Sequence, residues 1–210
     1  MSTISLIIGL IIGVLGFLFL FWRRLKEDYS SNQIFSFGFI VVGFVLLGFL
    51  VGFAIYNIQH TIYFNSRGLW FWGSFIFGSI GFFVAERSIK LKFFETLESA
   101  NLGFLFLMFS IFIVNSLEKV DLKLLLFAGV VGGLIPLFFF LNSKYKSFTW
   151  YKSGKIGFAG LSILGIFFLV RSVVALIDPS MISFIGRIDA IPDSIAAFIF
   201  FAALYNLSGI

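Results

Sequence analysis

Seven continuous apolar runs occupy most of the 210-residue sequence, and short polar segments separate them. Five of the runs reach the length of roughly 20 residues that a helix needs to cross the hydrocarbon core of a membrane, whereas the third and the last are shorter. Because the runs are continuous rather than alternating, they predict helices and not the strands of a barrel. The predicted spans are 4–22, 34–56, 69–84, 96–114, 124–141, 156–177 and 194–207.

The composition leaves no room for a separate soluble domain. Hydrophobic residues make up 60% of the chain and charged residues 12%, whereas soluble domains average about 45–50% and 25%. The polar segments between the runs are short, and none has the character of a linker. We therefore predict an all-α fold, a polytopic bundle of about seven transmembrane helices in which residues 1–210 form a single domain.

The basic residues are distributed unevenly between the two sides of this predicted bundle. Ten lysines and arginines fall in the first, third and fifth loops, and four fall in the second, fourth and sixth. Cytoplasmic loops carry the excess of positive charge in membrane proteins. The chain is therefore predicted to have its N-terminus outside and its C-terminus in the cytoplasm, and no cleavable signal peptide is expected.

Several kinds of chemistry are excluded or disfavoured by the residues that are scarce. The chain has no cysteine and one histidine, His60, so disulfides and thiolate ligands are excluded and a protein-built metal site is not expected. No P-loop, dinucleotide fingerprint, HExxH or GxSxG motif occurs, and we expect no cofactor. Since the cations lie between apolar runs, their expected partners are anionic lipid headgroups and not nucleic acid.

Arg171 is the basic residue that lies inside a predicted span. Intramembrane charges cost free energy on insertion and usually mark an ion pair, a pathway or a ligand site. Two interpretations remain open. In the first, Arg171 reaches outer-leaflet phosphate or pairs with Asp178 or Asp189, and in the second it binds an anionic ligand. Asp193 is expected, with the other acids of its loop, in a solvated turn that contains Pro192.

Other polar and aromatic residues near the span ends have structural interpretations. Glu98 lies one turn inside the fourth run, and we expect it to cap a helix or pair with a basic loop rather than to transfer protons. Trp70 and Trp72 are predicted to anchor the third span at the membrane interface. Asn101 and Asn115 are predicted to form hydrogen bonds between helices.

Three stretches of the chain resemble the bacterial prolipoprotein diacylglyceryl transferases, which are seven-span membrane enzymes. Residues 43–53, GFVLLGFLVGF, are similar to a stretch of the family's second span. Residues 67–94, RGLWFWGSFIFGSIGFFVAERSIKLKFF, are similar to its glycine-containing third span and the basic loop that follows. Residues 153–178, SGKIGFAGLSILGIFFLVRSVVALID, place Arg171 near the position of an essential family arginine.

The sequence differs from the family at its signature motifs. Trp72, Gly73 and Ser74 stand where the family has His-Gly-Gly, and Leu50 stands where it has a second-span arginine. Residues 108–115, MFSIFIVN, align with the long family signature but retain neither its arginine nor its Gly-Asn pair.

The resemblance implies a reaction, a membrane and a set of site residues. The family transfers a diacylglyceryl group from phosphatidylglycerol to the lipobox cysteine thiol of a prolipoprotein signal peptide, in the bacterial inner (plasma) membrane. The resemblance implies that Arg171 holds the lipid phosphate, an anion that a guanidinium binds well. It also implies that the substrate cleft is lined by Trp72, Gly73 and Ser74. A base must activate the thiol. That catalytic residue remains unidentified, with His60 as a weak candidate.

Two other functions remain open. Because the His-Gly-Gly and Arg-Ile-Gly-Asn signatures are not retained, the chain is alternatively a non-catalytic membrane protein that binds lipid or a partner helix on the same scaffold. The glycine-rich seven-span pattern also suits a small-solute carrier, which is the weaker alternative.

Overall fold

The computed structural model describes residues 3–58, 68–179 and 186–209 of the chain. Within these ranges the regular structure is helical throughout, which confirms the predicted all-α fold. Short 3-10 helices cover Tyr145–Ser147 and Arg187–Asp189. The α-helices are α1 (Thr3–Leu25), α2 (Ser31–Ile58), α3 (Leu69–Ile89), α4 (Phe93–Lys119), α5 (Leu122–Lys144), α6 (Phe158–Ile177) and α7 (Ala190–Ser208).

All seven of these helices are long and apolar enough to cross a membrane. Their outward faces carry large exposed apolar side chains, such as Leu15, Leu126 and Phe198. A monomeric soluble protein rarely exposes so much contiguous apolar surface, whereas lipid tails cover it favourably. The chain is therefore a multi-pass membrane protein, as the apolar runs predict.

The two helices predicted from short runs are longer than those runs. α3 continues past residue 84 to Ile89, and α7 begins at Ala190 rather than at residue 194. The added turns contain charged residues, Arg87 and Asp193, which end an apolar run without ending a helix. Hydropathy alone therefore underestimates the lengths of these two helices.

The helices are arranged in closely packed pairs around two central members. α4 and α6 are the most buried helices, while α2 pairs with α3, α1 with α4 and α6 with α7. Small residues let the backbones of membrane helices approach. Between α2 and α3, a Cβ added at Gly48 would collide with the carbonyl group of Gly73, and one added at Gly73 would collide with that of Gly48.

The polar groups of the bundle collect at its two ends. At the first end, the start of α3, the end of α6 and the start of α7 bring together Trp72, Arg171 and Asp193. At the opposite end, the end of α1, the start of α4 and the end of α5 bring together Arg24, Glu98 and Asn142. We refer to these as the Arg171 end and the Glu98 end.

Candidate functional site

Arg171 and Asp193 form an ion pair that is buried between α6 and α7. Nε of Arg171 lies 3.2 Å from Oδ2 of Asp193, and the two side chains are 1% and 0% exposed. The guanidinium carbon also lies 3.4 Å from the ring centroid of Phe71 and 5.4 Å from that of Trp72. Aromatic faces attract a cation, most strongly when it is shielded from water. The intramembrane charge is therefore compensated inside the protein.

A second acid, Asp189, ties the start of α3 to the segment before α7. The Trp72 indole Nε1–H donates a hydrogen bond to Oδ1 of Asp189 over 3.1 Å, and the Gly186 backbone N–H donates to Oδ2 over 2.6 Å. A Cβ added at Gly68 would lie 2.6 Å from Oδ1 of Asp189, so a glycine is needed for this close approach. Trp72 therefore links Asp189 to the aromatic surroundings of Arg171.

The partner of Arg171 differs from the residues that the sequence predicts. Asp178 and Asp189 are the predicted partners, whereas the structure shows an ion pair with Asp193. The sequence also predicts a solvated turn around Pro192, which is wrong for Asp193, since this residue is buried within the first turn of α7. Proline is compatible with the first turn of a helix because the N–H it lacks would have no partner there.

The three residues proposed to line a substrate cleft face different surroundings. Trp72 lies beside Arg171. Gly73 packs against the backbone of Gly48 in the α2–α3 contact, and Ser74 is buried and lines a cavity on the side of α3 that faces α4. The structure thus brings Trp72 to Arg171 and assigns Gly73 to helix packing.

The cavity that Ser74 lines is an apolar cleft between α3 and α4. It has a volume of about 260 Å³, and none of its lining residues is charged. Phe83 belongs to the lining and is 55% exposed, so the cleft reaches the lipid-facing surface. α1, α2, α6 and α7 complete its walls. Seven phenylalanines line it: Phe17, Phe75, Phe82, Phe83, Phe93, Phe104 and Phe200.

Asn101, for which the sequence predicts a hydrogen bond between helices, is a polar residue of this cleft. Asn115 fulfils the prediction of an interhelical hydrogen bond, since its Oδ1 accepts from the Ser5 hydroxyl over 3.3 Å. Asn101 is also buried, but its amide Nδ2 makes no hydrogen bond among the described residues. A buried amide without a partner costs free energy. In the sequence both residues are single amides in an apolar run. That pattern does not distinguish an asparagine that is bonded to another helix from one that is not.

Glu98 organises the opposite end of the bundle. Its Oε1 accepts hydrogen bonds from the backbone N–H groups of Gly157 and Ala159, over 3.0 and 3.2 Å, at the start of α6. Its other oxygen forms an ion pair with Arg24, which also donates to Asn142 over 3.0 Å. Both predicted roles of Glu98, as a cap and as a partner of a basic loop, are confirmed, although the capped helix is α6 and not its own.

A polar cavity of about 460 Å³ adjoins this cluster at the Glu98 end. Charges of both signs line it, with Arg24 and Lys146 opposed by Asp28 and Glu95. Glu95 accepts a hydrogen bond from the Tyr29 hydroxyl over 3.1 Å. Burial raises the pKa of this hydroxyl above its ordinary value. Because the charges are nearly balanced, the cavity favours neither anions nor cations.

The remaining predictions about chemistry concern His60 and metal ions. His60, the weak candidate base, lies outside the described residues. Among the residues that are described, no group of three or more potential ligands could hold a metal ion.

The chain matches no protein-family model, and comparisons with curated proteins and with solved structures found no match either.

Proposed function

We propose that the protein binds a membrane lipid inside the bundle, holding an apolar part of the lipid in the cleft between α3 and α4. The observation that carries this proposal is the cleft itself, which is apolar, rich in aromatic side chains and open towards the bilayer at Phe83. Small-molecule sites in helical bundles lie between helices and combine an apolar lining with a few polar groups. No titratable side chain lines the cleft, which favours binding over acid–base catalysis.

Filling the cleft from either side tests this proposal. Ala100→Phe on α4 and Ser79→Phe on α3 each add a ring to the lining. Ala54→Phe adds the same ring on an exposed face of α2 and serves as the matched control. The protein in lipid nanodiscs is labelled with a phospholipid that carries a photoreactive group on its acyl chain, and the labelled peptides are identified by mass spectrometry.

We expect the wild type and Ala54→Phe to be labelled on peptides of α3 and α4 that line the cleft. Both filling variants lose this labelling at least several-fold while retaining the thermal stability of the wild type. Labelling of these peptides that is equal in all four proteins would contradict the proposal.

The charge distribution of the loops supports a specific placement in the membrane. The first, third and fifth loops carry ten of the basic residues, and we infer that they face the cytoplasm of a bacterial-type plasma membrane. The N-terminus is then outside and the C-terminus inside. In this placement the basic loops contact anionic lipid of the phosphatidylglycerol type, and the cleft extends from the middle of the membrane towards its inner leaflet.

Diacylglyceryl transfer from phosphatidylglycerol to a prolipoprotein cysteine is a second candidate function. The contact between Trp72 and Arg171 favours it, because two residues that the family resemblance assigns to the substrate site meet at one end of the bundle. Phosphate binding there requires the lipid to reach a guanidinium that is 1% exposed beside Asp193. Purified protein, phosphatidylglycerol and a lipobox peptide would then yield a peptide heavier by one diacylglyceryl group, and no product beside an active family member would contradict this function.

A further inference from the structure

The polar cavity at the Glu98 end lies at the depth of the lipid headgroups. Arg24 near the end of α1, Asn142 near the end of α5 and Glu95 near the start of α4 belong to its lining. α1 and α5 each contain 23 residues, which is about 35 Å of helix, whereas the hydrocarbon core is roughly 30 Å thick. The cavity at their ends therefore lies in the headgroup region of the membrane.

Two ion pairs account for several of the charges around the polar cavity. Arg24 pairs with Glu98, and Lys92 pairs with Glu95 over 3.0 Å. Each of these pairs is neutral as a whole. The charges that a ligand can still compensate are therefore those of the two charged lining residues outside the pairs.

Asp28 and Lys146 are these two residues, one negative and one positive. Both line the cavity and both are exposed. Within the described part of the chain, neither forms an ion pair with the other or with a third residue. A ligand with one charge of each sign can be attracted by both, whereas a simple anion or cation would be repelled by one of them.

Arg24 and Asn142 supply hydrogen-bond donors for the anionic part of such a ligand. The guanidinium of Arg24 donates from Nη2 alone, to Glu98 and to Asn142. Its Nε and Nη1, like Nδ2 of Asn142, have no hydrogen-bond partner among the described residues and are not fully covered. With the ammonium of Lys146 in the same lining, these groups suit a phosphate, which accepts several charge-assisted hydrogen bonds.

The surroundings of Asp28 favour a primary ammonium over a quaternary one. A carboxylate accepts hydrogen bonds from N–H groups, which a quaternary ammonium lacks. Quaternary ammonium ligands are typically held instead by a cage of aromatic faces. Among the described lining residues a single one, Tyr145, is aromatic. The cavity therefore suits an ethanolamine group better than a choline group.

We propose that the polar cavity binds a phosphoethanolamine group, with its phosphate beside Arg24, Asn142 and Lys146 and its ammonium beside Asp28. The cavity volume of about 460 Å³ lies within the roughly 300–1,000 Å³ of ordinary ligand sites. Phosphatidylethanolamine carries this group at the membrane interface, and glycerophosphoethanolamine carries it in water. The polar cavity shares no lining residue with the apolar cleft, so this inference goes beyond the proposed function and does not depend on it.

Native mass spectrometry of the detergent-solubilised protein tests the headgroup. The protein is titrated with phosphatidylethanolamine, phosphatidylcholine and phosphatidylglycerol that carry identical acyl chains. Phosphatidylethanolamine is expected to bind several-fold more tightly than the other two. Excess glycerophosphoethanolamine is then added to identify the source of the group. Displacement of the lipid at matching concentrations assigns the site to the soluble compound, and retention of the lipid assigns it to the membrane.

Two variants separate the two charges of the ligand. Asp28→Asn removes the partner of the ammonium and the repulsion of an anionic lipid. It should therefore lower the preference for phosphatidylethanolamine over phosphatidylglycerol by up to about fivefold, the effect of an exposed ion pair. Lys146→Gln removes a partner of the phosphate, which both lipids possess. It should weaken both lipids by a similar factor and leave the preference unchanged.

Glu27→Gln and Lys144→Gln are the matched controls. Both residues are exposed, lie within two positions of the residues tested and are outside the cavity lining. They change the net charge of the protein by the same amounts as the two test variants and should leave lipid binding as in the wild type. Thermal unfolding without added lipid should be the same in all four variants, because none of the four side chains forms an ion pair among the described residues.

The result that would overturn the phosphoethanolamine site is equal binding of the three lipids, or a preference that Asp28→Asn and Glu27→Gln change equally. Ala100→Phe, which fills the apolar cleft, keeps this test apart from the proposed function. The preference for phosphatidylethanolamine should persist in this variant. Its loss would place the headgroup selection in the apolar cleft and so overturn the inference while supporting lipid binding there.

Discussion

At the scale of single residues, the Arg171–Asp193 pair shows how this chain carries full charges inside an apolar bundle. The two side chains are 1% and 0% exposed and lie on neighbouring helices. Two opposite charges that are removed from water together stabilise each other, and either one left alone would be strongly unfavourable. The rings of Phe71 and Trp72 add attraction on the remaining side of the guanidinium. The pair is therefore a unit, and its two members depend on each other.

Removing either member of this pair should destabilise the protein more than removing both. Arg171→Met and Asp193→Leu each leave an uncompensated buried charge, which costs about 3–5 kcal/mol. The double variant replaces the pair by apolar groups and should recover most of that loss. Thermal unfolding in detergent measures these differences.

The exposed pair of Lys123 and Asp178 provides the comparison. Their Nζ–Oδ2 distance is 2.6 Å, but the lysine side chain is 61% exposed. Lys123→Met should therefore change stability by less than about 1 kcal/mol. A double variant at Arg171 and Asp193 as unstable as the sum of its single variants would refute their mutual dependence.

At the scale of helices, α2 and α3 are joined by glycines whose backbones touch. Gly48 and Gly73 oppose each other, and Gly52 faces the backbone of Trp70. Both helices are apolar on all sides, so contact with lipid tails is about as favourable for their side chains as contact with the partner helix. The close approach of the backbones is therefore the main source of specificity in this pair.

A methyl group added at this contact should weaken the α2–α3 pair. Gly73→Ala forces the carbonyl of Gly48 to move, and overpacking of this kind typically costs about 1–3 kcal/mol. Gly129→Ala on α5 is the control, because an added Cβ there meets nothing within 4 Å. Thermal unfolding of both variants in detergent measures the difference, and equal stability of the two would show that the glycine contact is not close in solution.

The sequence predicts the helices better than it predicts the site, for reasons visible at this scale. A membrane helix follows from a local apolar run, and all seven runs became helices. The cleft depends instead on α3 pairing with α2 and leaving space beside α4, which is a property of distant segments. Asn101 in the cleft and Asn115 in a hydrogen bond look alike in the sequence. The prediction for Asp193 is wrong because proline is typical both of a loop turn and of the first turn of a helix, and Pro192 lies in the latter.

At the scale of the whole molecule, the charges of the loops predict its orientation. The chain contains no cysteine, so a single introduced cysteine is the one thiol that a reagent can find. Val120 lies between α4 and α5 and is 89% exposed, in a loop predicted to be outside. Lys152 is exposed between α5 and α6, in a loop predicted to be cytoplasmic.

These two positions make the orientation measurable. In intact cells a membrane-impermeant maleimide should label Val120→Cys and should leave Lys152→Cys unlabelled until the cells are opened. The wild type without cysteine gives the background. The reverse pattern would place the N-terminus in the cytoplasm and invert every assignment of the two bundle ends.

The position of Arg171 before Asp193 in the chain has a consequence for how the protein is made. α6 leaves the ribosome before α7, so its arginine enters the translocon ahead of the carboxylate that neutralises it. On biological insertion scales an arginine is unfavourable by up to about 2.5–3.5 kcal/mol, the value at the centre of a helix, and Arg171 lies six residues from the end of α6. Integration of α6 should therefore be incomplete in nascent chains that stop before Ala190 and should become complete once α7 follows, so that the last two helices enter the bilayer as a hairpin.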